Sequence, residues 1–584
     1  MFAQHIARHE FPKLNAASKV LRVGIEGRRG RGAVPAPRVT RTAAADPWWT
    51  TPRGAAFVVA VLVVAAFARS LGNAFTYDEP LVIVQAQAFL KSSDLSALVT
   101  KDYFAGSLEG TWRPFCTLTY MFDAFLAFAP AMFKADSVLW HIGCAWLVMA
   151  LARRLLPAQH RRFAIVAGLV FALHPVTTET VDNASFREDS LVTFWTLATL
   201  VLAFDGRRAL ALVAFALGLL SKESAVVAPV LLAIVRLTRP VAERPGHPDR
   251  RGLPRELVPY GVVLAIYLAI RFGPLKTAGQ YATYPGGSFA ATMTGMPLVW
   301  AHDLRLVVWP WPLCADYTGY FPFGHVPTGA LVASAFVVLM FVAALVVASR
   351  RGQTLVAIGL GWFALALGPV SNFIPVPIPS AERFLTLPLV GIGLAAAALA
   401  GALSERLPSR AWRVVRGAFV AVLAVFVGII NVRHDAWTDD ATLWADTVAV
   451  NPRSCGAQSA VGGTLLRRGL DEGSVDVLRD AAAHQRVALR QCSDASDPSR
   501  AAKFYTRLGA AEALLSHLPP ARAALERALE LAPRDPLTVA WLGYVHLLSG
   551  DTAGAAVLLK RAIIDLGPPD NDVAEVARRY VDKL

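Results

Sequence analysis

An acidic pair, Asp78-Glu79, follows Tyr77 a few residues after the first long apolar run of the chain ends. A carboxylate at a membrane surface is able to take a proton from an attacking hydroxyl or to hold a divalent cation. An isolated acidic dipeptide is more often solvated surface or the start of a helix. Charged residues in other segments nevertheless make Asp78 and Glu79 candidate catalytic residues. They are also the candidate ligands if the site holds a metal.

Cations beside acids recur in other short segments between apolar runs. The candidate substrate-binding residues are Arg113, His174, Glu179, Arg187, Asp189, Lys222, Glu223, Glu382 and Arg383. Fixed cations at a membrane face suit a lipid phosphate, because burying that charge unpaired is costly. For any one cation, contact with lipid headgroups is an alternative. For His174, which precedes Pro175, capping a helix end is the favoured alternative.

The composition indicates a membrane protein. The 584 residues are 55% hydrophobic and 17% charged, and the mean hydropathy is +0.45, more apolar than a soluble globular protein needs. The net charge of +14 lies in short basic strips between apolar runs, which argues against nucleic-acid binding. No Gly-rich phosphate loop occurs in a usable context, which argues against soluble nucleotide chemistry. The cysteines lack zinc-ligand spacing; they are Cys116, Cys144, Cys314, Cys455 and Cys492.

The basic strips predict an orientation. The basic N-terminal segment 1–53 is expected to be cytoplasmic and disordered, and the apolar run that follows is expected to be an uncleaved first span. The positive-inside tendency assigns later strips to the cytoplasm: 153–162, 205–208, 236–255, 349–351 and 404–416. Segments rich in acids and aromatic residues are expected to face outward: the first outer loop 73–113, then 174–189, 221–224, 273–328 and 371–383.

Alternating these two kinds of loop predicts about eleven spans within 54–431, with the N-terminus inside and the C-terminus outside. Two apolar segments do not fit that alternation as spans. Residues 114–133 are expected to lie in the interface, and residues 287–313 to be interfacial or re-entrant.

The tail 432–584 is predicted to be a soluble helical-repeat domain. Leu508-Gly509 recurs as Leu542-Gly543, a period near 34 residues that is typical of tetratricopeptide repeats. Such an α-solenoid leaves a concave surface suited to extended peptides, so the domain is expected to capture an acceptor. A structural cap or a dimer interface is the alternative. A disulfide between Cys455 and Cys492 and two free buried thiols both remain open.

The order of the motifs resembles the tetratricopeptide-repeat transmembrane O-mannosyltransferases and their bacterial relatives. The segments that carry the resemblance are 73–79 (NAFTYDE), 112–119 (WRPFCTLT), 171–179 (FALHPVTTE), 187–189 (RED), 221–223 (SKE) and 382–388 (ERFLTLP), followed by the repeats. The family often has two aspartates at the first motif and a Gly-Arg-Ala-Asp run at the fourth, and its animal members have longer repeat arrays. These departures leave the sugar, the acceptor and a metal requirement open.

The resemblance implies an all-α, polytopic GT-C fold that moves a hexose from a polyprenyl phosphate to a hydroxyl, on a protein or another acceptor, outside the cytoplasm. It implies Asp78 as base, supported by Glu79, with Arg113, Arg187, Lys222 and Arg383 on the lipid phosphate. His174, Glu179, Asp189, Glu223 and Glu382 would orient these groups or bind sugar hydroxyls. The Ala- and Arg-rich composition favours a bacterial inner membrane with periplasmic repeats.

Two other functions compete with transfer. A lipid-sugar flippase or transporter predicts inverted repeats of spans, and the sequence shows none. A membrane-anchored scaffold, in which the repeats bind a partner and the outer polar residues have no catalytic role, is the third possibility.

Overall fold

The chain is all-α throughout the part that the computed structural model describes, and those residues contain no β-strand. The described residues are 47–92, 94–100, 102–107, 111–238, 252–275, 283–376, 378–492 and 498–566. The predicted all-α class is therefore confirmed. The basic segment 1–53 lies almost wholly outside the described residues, and most of the basic strip 236–255 lies outside them too.

The first three quarters of the chain form sixteen α-helices within the described residues. The first of them begins at Pro52, where the Thr51 hydroxyl accepts a hydrogen bond from the Gly54 N–H at 3.1 Å and caps the helix. The helices are α1 Pro52–Phe67, α2 Gln87–Leu90, α3 Asp102–Ser107, α4 Pro114–Leu126, α5 Pro130–Leu155, α6 Ala164–Ala172, α7 Thr178–Asp182, α8 Arg187–Phe204, α9 Arg208–Ser221, α10 Val227–Thr238, α11 Leu253–Phe272, α12 Phe289–Val308, α13 Thr328–Arg350, α14 Thr354–Leu367, α15 Thr386–Arg406 and α16 Ser409–Ala436.

Six helical segments in the described ranges are long and apolar enough to cross a membrane, or seven if one bent pair counts as a span. They are Pro52–Gly72, Pro130–Leu155, Leu253–Phe272, Thr328–Arg350, Glu382–Arg406 and Ser409–Ala436, and the bent pair is Ala158–Ala172 with Pro175–Asp182. The segments Arg208–Ser221 and Thr354–Val370 are apolar but shorter. The count of about eleven spans stays a prediction.

The loops form two sets that meet at different places in the helix bundle. Loops predicted to be cytoplasmic touch each other: Arg154 Nη2 lies 2.7 Å from Asp205 Oδ2, and His160 Nε2 lies 2.7 Å from Glu405 Oε1. Loops predicted to face outward also touch each other, beginning with the Asn183 side-chain amide, which donates to the Thr76 carbonyl at 2.9 Å. The grouping is what the alternation of basic and acidic loops requires.

The tail consists of short helices that pack as consecutive pairs, α18 with α19, α20 with α21 and α22 with α23. Close packing repeats with the sequence: a Cβ added at Gly509 would lie 2.6 Å from Leu525 Cγ, and one at Gly543 would lie 2.9 Å from Leu559 Cγ. The helices are α17 Asp440–Val450, α18 Cys455–Glu472, α19 Val475–Gln491, α20 Pro498–Leu514, α21 Leu518–Leu531, α22 Pro536–Leu548 and α23 Thr552–Leu566.

A disulfide joins Cys455, at the start of α18, to Cys492, just after α19, with a Cα–Cα distance of 6.0 Å. Of the two alternatives left open by the sequence, the structure has the pair. The crosslink closes a loop with a sequence separation of 37, and its removal by Cys455→Ser with Cys492→Ser is expected to destabilise this helical pair by about 3–4 kcal/mol. Proteolysis of the full chain at increasing temperature, with cleavage within α18 and α19 as the readout, tests the prediction. If the double variant resists the protease as well as the wild-type chain does, the prediction is contradicted.

Candidate functional site

The first outer loop presents Asp78 to solvent by an unusual backbone turn. Tyr77 has a φ of 60°, in the left-handed region that bulky residues rarely occupy. Its N–H donates to Asp440 Oδ1 at 2.8 Å, which ties the loop to the start of α17. The Asp78 side chain is exposed and makes no hydrogen bond or ion pair with another described residue. This loop therefore holds a free carboxylate at its tip.

Glu79 points the opposite way, into the protein. Its Oε2 accepts from the Thr76 N–H at 2.7 Å and its Oε1 accepts from the Ala184 N–H at 2.6 Å. Lys134 Nζ lies 3.5 Å from Oε2, and both side chains are fully buried. Glu79 thus fastens the acidic loop to the segment between α7 and α8.

Acids at the start of α8 bind cations from two other loops. Lys222 Nζ lies 2.6 Å from Asp189 Oδ2 and 3.1 Å from Glu188 Oε1. The Arg113 guanidinium contacts Glu188 and lies 3.6 Å from Glu223 Oε2. Four of the predicted site residues, Arg113, Asp189, Lys222 and Glu223, therefore belong to one network, and Glu188 joins them.

Glu179 and Arg383 form a second, nearly buried pair. Glu179 Oε2 accepts from the Arg383 backbone N–H at 2.7 Å, and its other oxygen contacts the Arg383 guanidinium. The guanidinium also stacks on Phe186, 3.9 Å from the ring centroid, a cation–π arrangement. Burial raises the pKa of Asp78, and the positive charge of Arg383 acts to lower it.

Glu382, the neighbour of Arg383, is directed to a different part of the protein. Its Oε1 accepts from the Cys314 N–H at 2.5 Å and from the Tyr317 hydroxyl at 3.2 Å, and Arg433 Nη2 lies 3.8 Å away. Its Oε2 has no hydrogen-bond partner among the described residues although it is buried. Glu382 therefore connects the start of α15 to the loop after α12.

The structure gives Arg187 a role different from the predicted contact with lipid phosphate. Its guanidinium is fully buried and lies 2.7 Å from Asp123 Oδ2 and 2.9 Å from Asp136 Oδ2. It also donates to the Thr119 hydroxyl at 2.9 Å and to the Phe133 carbonyl at 2.6 Å. With its donors engaged inside the protein, Arg187 joins α4, α5 and α8.

His174 has the capping geometry that the sequence favoured over a metal or base role. Its Nδ1 faces the Val176 N–H at 3.4 Å, at the start of a short 3₁₀ turn. Its Nε2 lies 3.0 Å from the Val307 carbonyl oxygen. Because both ring nitrogens have backbone partners, His174 positions the chain between α6 and α7 and is not placed beside Asp78.

Sequence reasoning missed the buried groups that hold the site from within the helices. Lys134 Nζ donates to the Asp182 carbonyl at 2.5 Å, His434 Nδ1 lies 2.5 Å from Asp182 Oδ2, and Arg433 Nη1 lies 2.6 Å from Asp446 Oδ2. A signal did exist, because a charged residue inside an apolar helix is rare and usually has a partner.

The acidic pair does not fit a two-carboxylate metal site. Glu79 has both oxygens directed at backbone N–H groups, and only Asp78 is open to a ligand. No group of three or more His, Cys, Asp or Glu side chains suited to a metal ion occurs in the ranges that the structure describes. Asp78 alone remains available to a cation that would arrive with substrate.

The fold and site define a class: a helical membrane protein with a charged, solvent-accessible site where its acidic loops meet. No protein-family model and no solved structure matches the chain. Among curated proteins, it is 24% identical to human protein O-mannosyl-transferase TMTC4 over 72% of this chain and 64% of the relative. Mouse TMTC4 is 23% identical over 74% of this chain and 66% of the relative. Drosophila melanogaster Tmtc1 is 30% identical over 22% of this chain and 15% of the relative.

Within that class, the chain is similar to proteins named protein O-mannosyl-transferases, which confirms the resemblance predicted from the motifs. The chain spans 64% and 66% of the lengths of its human and mouse TMTC4 relatives.

Proposed function

We propose that the chain is a GT-C glycosyltransferase that moves mannose or another hexose from a polyprenyl phosphate to a protein hydroxyl on the non-cytoplasmic side of the membrane. The names of the relatives, protein O-mannosyl-transferases, support the reaction class. The observation that carries the proposal is geometric. Asp78 is an accessible carboxylate without a partner among the described residues, in a loop that Asn183 and Asp440 hold to other predicted outer segments.

In the proposed reaction Asp78 takes the proton of the acceptor hydroxyl, whose oxygen then forms a bond to the anomeric carbon of the sugar. The bond from that carbon to the phosphate oxygen breaks, and the electron pair leaves with the polyprenyl phosphate. Arg383, Lys222 and Arg113 supply positive charge where negative charge develops on the phosphate. Each is already held by carboxylates, so the donors are ordered before substrate arrives.

Sidedness is supported by two independent features. The loops poor in basic residues contact one another, whereas the Arg154 and His160 pairs join the basic strips to each other, as the positive-inside tendency predicts. The Cys455–Cys492 disulfide in the tail fits an oxidising compartment such as the periplasm. We propose that the N-terminus is cytoplasmic and that the tail is a periplasmic tetratricopeptide solenoid that captures the acceptor.

The purified full chain in lipid nanodiscs is expected to transfer radiolabelled mannose from polyprenyl-phosphate mannose to Ser- and Thr-containing peptides. Nucleotide-linked mannose is the control donor and is expected to give no product, because the cations face a membrane-embedded phosphate. Transfer from the nucleotide donor alone, or no transfer from several polyprenyl-phosphate hexoses by a folded preparation, would contradict the proposal.

A pH dependence follows from the surroundings of Asp78. Although its side chain is accessible, the surrounding protein removes water from the carboxylate and raises the pKa of Asp78, against which Arg383 acts to lower it. A base must be deprotonated, so kcat/KM is expected to fall as the pH decreases. The apparent pKa of this acidic limb is expected to lie above that of a free Asp, which is about 3.9. Arg383→Gln is expected to move this limb to higher pH; an unmoved limb in the residual activity would mean that another group titrates.

A further inference from the structure

Two aromatic rings lie side by side next to Asp78. The Tyr77 and Trp444 ring centroids are 4.9 Å apart with an interplanar angle of 32°, and each side chain is only half-buried. We call this pair the aromatic shelf. It rests on two buried rings, Phe186 at 5.1 Å and Trp437 at 6.4 Å from the Tyr77 centroid. One ring of the shelf comes from the first outer loop and the other from α17, the helix that leads into the tail.

The shelf is held in place by the same acid that shapes the Asp78 turn. Asp440 accepts from the Tyr77 N–H at 2.8 Å and also interacts with the Trp444 side chain. Its neighbour Asp439 caps α17 by accepting from the Thr442 N–H at 2.8 Å. These contacts fix the orientation of both rings, so the protein loses little conformational entropy when a ligand stacks on them.

The polar groups at the shelf are open to a ligand. The Tyr77 hydroxyl makes no hydrogen bond with another described residue, and the Asp78 carboxylate next to it is likewise without a partner. An aromatic surface beside a few unengaged polar atoms is the usual composition of a binding site. Such a surface accepts either the carbon face of a sugar or an apolar segment of peptide.

Charge separates these two occupants. The donor phosphate needs the cations, and these lie on the side of Phe186 where Arg383 stacks. The shelf lies against the carboxylate of Asp440, which accepts from the Tyr77 N–H and interacts with the Trp444 side chain, and Asp78 adjoins Tyr77 in the chain. A phosphate would be repelled there, whereas an uncharged hydroxyl-bearing peptide would not be.

We infer that the aromatic shelf, Tyr77 and Trp444, is the acceptor subsite: a peptide segment bearing a Ser or Thr hydroxyl stacks on it and presents that hydroxyl to Asp78. The inference rests on the proposed transferase function and deepens it. It also assigns α17 a part in catalysis, since the helix that joins the membrane region to the tail supplies half of the subsite.

The test compares Trp444→Ala, Trp444→Phe and the wild-type chain in nanodiscs, with polyprenyl-phosphate mannose as donor and a Ser/Thr peptide as acceptor. Because tryptophan is a frequent anchor of binding energy at protein contacts, Trp444→Ala is expected to raise the acceptor KM by about tenfold and leave the donor KM unchanged. Trp444→Phe is expected to restore most of the loss. Trp412→Ala is the control, because Trp412 is a half-buried tryptophan at the start of α16.

A second measurement separates the inference from the function on which it rests: direct binding of a fluorescently labelled Ser/Thr peptide to the chain in the absence of donor. If the wild-type chain transfers mannose but Trp444→Ala has an unchanged acceptor KM and peptide affinity, the subsite is wrong. A raised donor KM instead would mean that the shelf holds the donor sugar, which also overturns the inference. If the wild-type chain transfers nothing, the proposed function fails, and loss of peptide binding in Trp444→Ala alone still supports the subsite.

Discussion

Asp78→Asn is expected to reduce sugar transfer by about 10²–10⁴-fold while the chain still folds and binds its peptide. The substitution keeps the size of the side chain but removes the group that accepts the proton, and a positioned general base contributes about that factor. No described residue depends on the Asp78 side chain for a hydrogen bond, so stability should be unchanged. Initial rates with polyprenyl-phosphate mannose, normalised to folded protein, measure the effect.

Asp435→Asn is the matched control for Asp78→Asn. Asp435 is another exposed aspartate, near the end of α16, where its carboxylate pairs with Arg69. Such a surface pair contributes about 0–1 kcal/mol, so transfer should remain close to the wild-type rate. Equal activity of the two variants would remove Asp78 from the chemistry and with it the proposed mechanism.

The sequence predicted which charged segments would meet better than it predicted the partner of each side chain. Arg113, Asp189, Lys222 and Glu223 came from three separate motifs, and the structure joins them in one network. Their meeting follows from the alternation of apolar runs, which returns every second loop to the same side of the bundle. Alternation does not specify which partner each side chain selects, because that depends on helix rotation and packing.

The division of labour between Asp78 and Glu79 was beyond the sequence. Both are acids in one dipeptide, and either could have been the exposed member. The turn at Tyr77 decides it, and that turn depends on Asp440, which is separated from Tyr77 by 363 residues. The N–H of Ala184, 105 residues from Glu79 in the chain, accounts for one of the hydrogen bonds of its buried carboxylate. Local patterns carry no information about such pairings.

The tail was more predictable because its contacts are local. The recurrence of Leu508-Gly509 as Leu542-Gly543 predicts a helical repeat, and in the structure both glycines lie against a leucine of the following helix. In the membrane region, by contrast, apolar periodicity does not distinguish a full span from a short buried helix. Short apolar helices such as Thr354–Val370 are the reason that the span count is not fixed by the structure.

Arg187→Met is expected to destabilise the folded chain by about 3–5 kcal/mol, because it leaves two carboxylates in the interior without their counter-ion. Asp123 is fully buried and has Arg187 Nη2 2.7 Å from its Oδ2, so its charge depends on the ion pair with Arg187. Adding Asp123→Asn to Arg187→Met should recover part of the loss, since the two residues interact directly. The stability of each variant is measured by heating it in detergent and quantifying by size-exclusion chromatography the protein that remains folded.

The control for Arg187→Met is Arg154→Met, which breaks the partly exposed ion pair with Asp205 among the basic strips. That pair is partly solvated, so its loss should cost no more than about 1 kcal/mol. The comparison tests the effect of burial, because each variant removes one arginine from carboxylate partners, two buried or half-buried ones for Arg187 and one partly exposed one for Arg154. Normal stability of Arg187→Met together with a raised donor KM would mean that Arg187 binds the lipid phosphate after all. A loss of folded protein that Asp123→Asn partly reverses would instead assign Arg187 to holding α4, α5 and α8 together beneath the site.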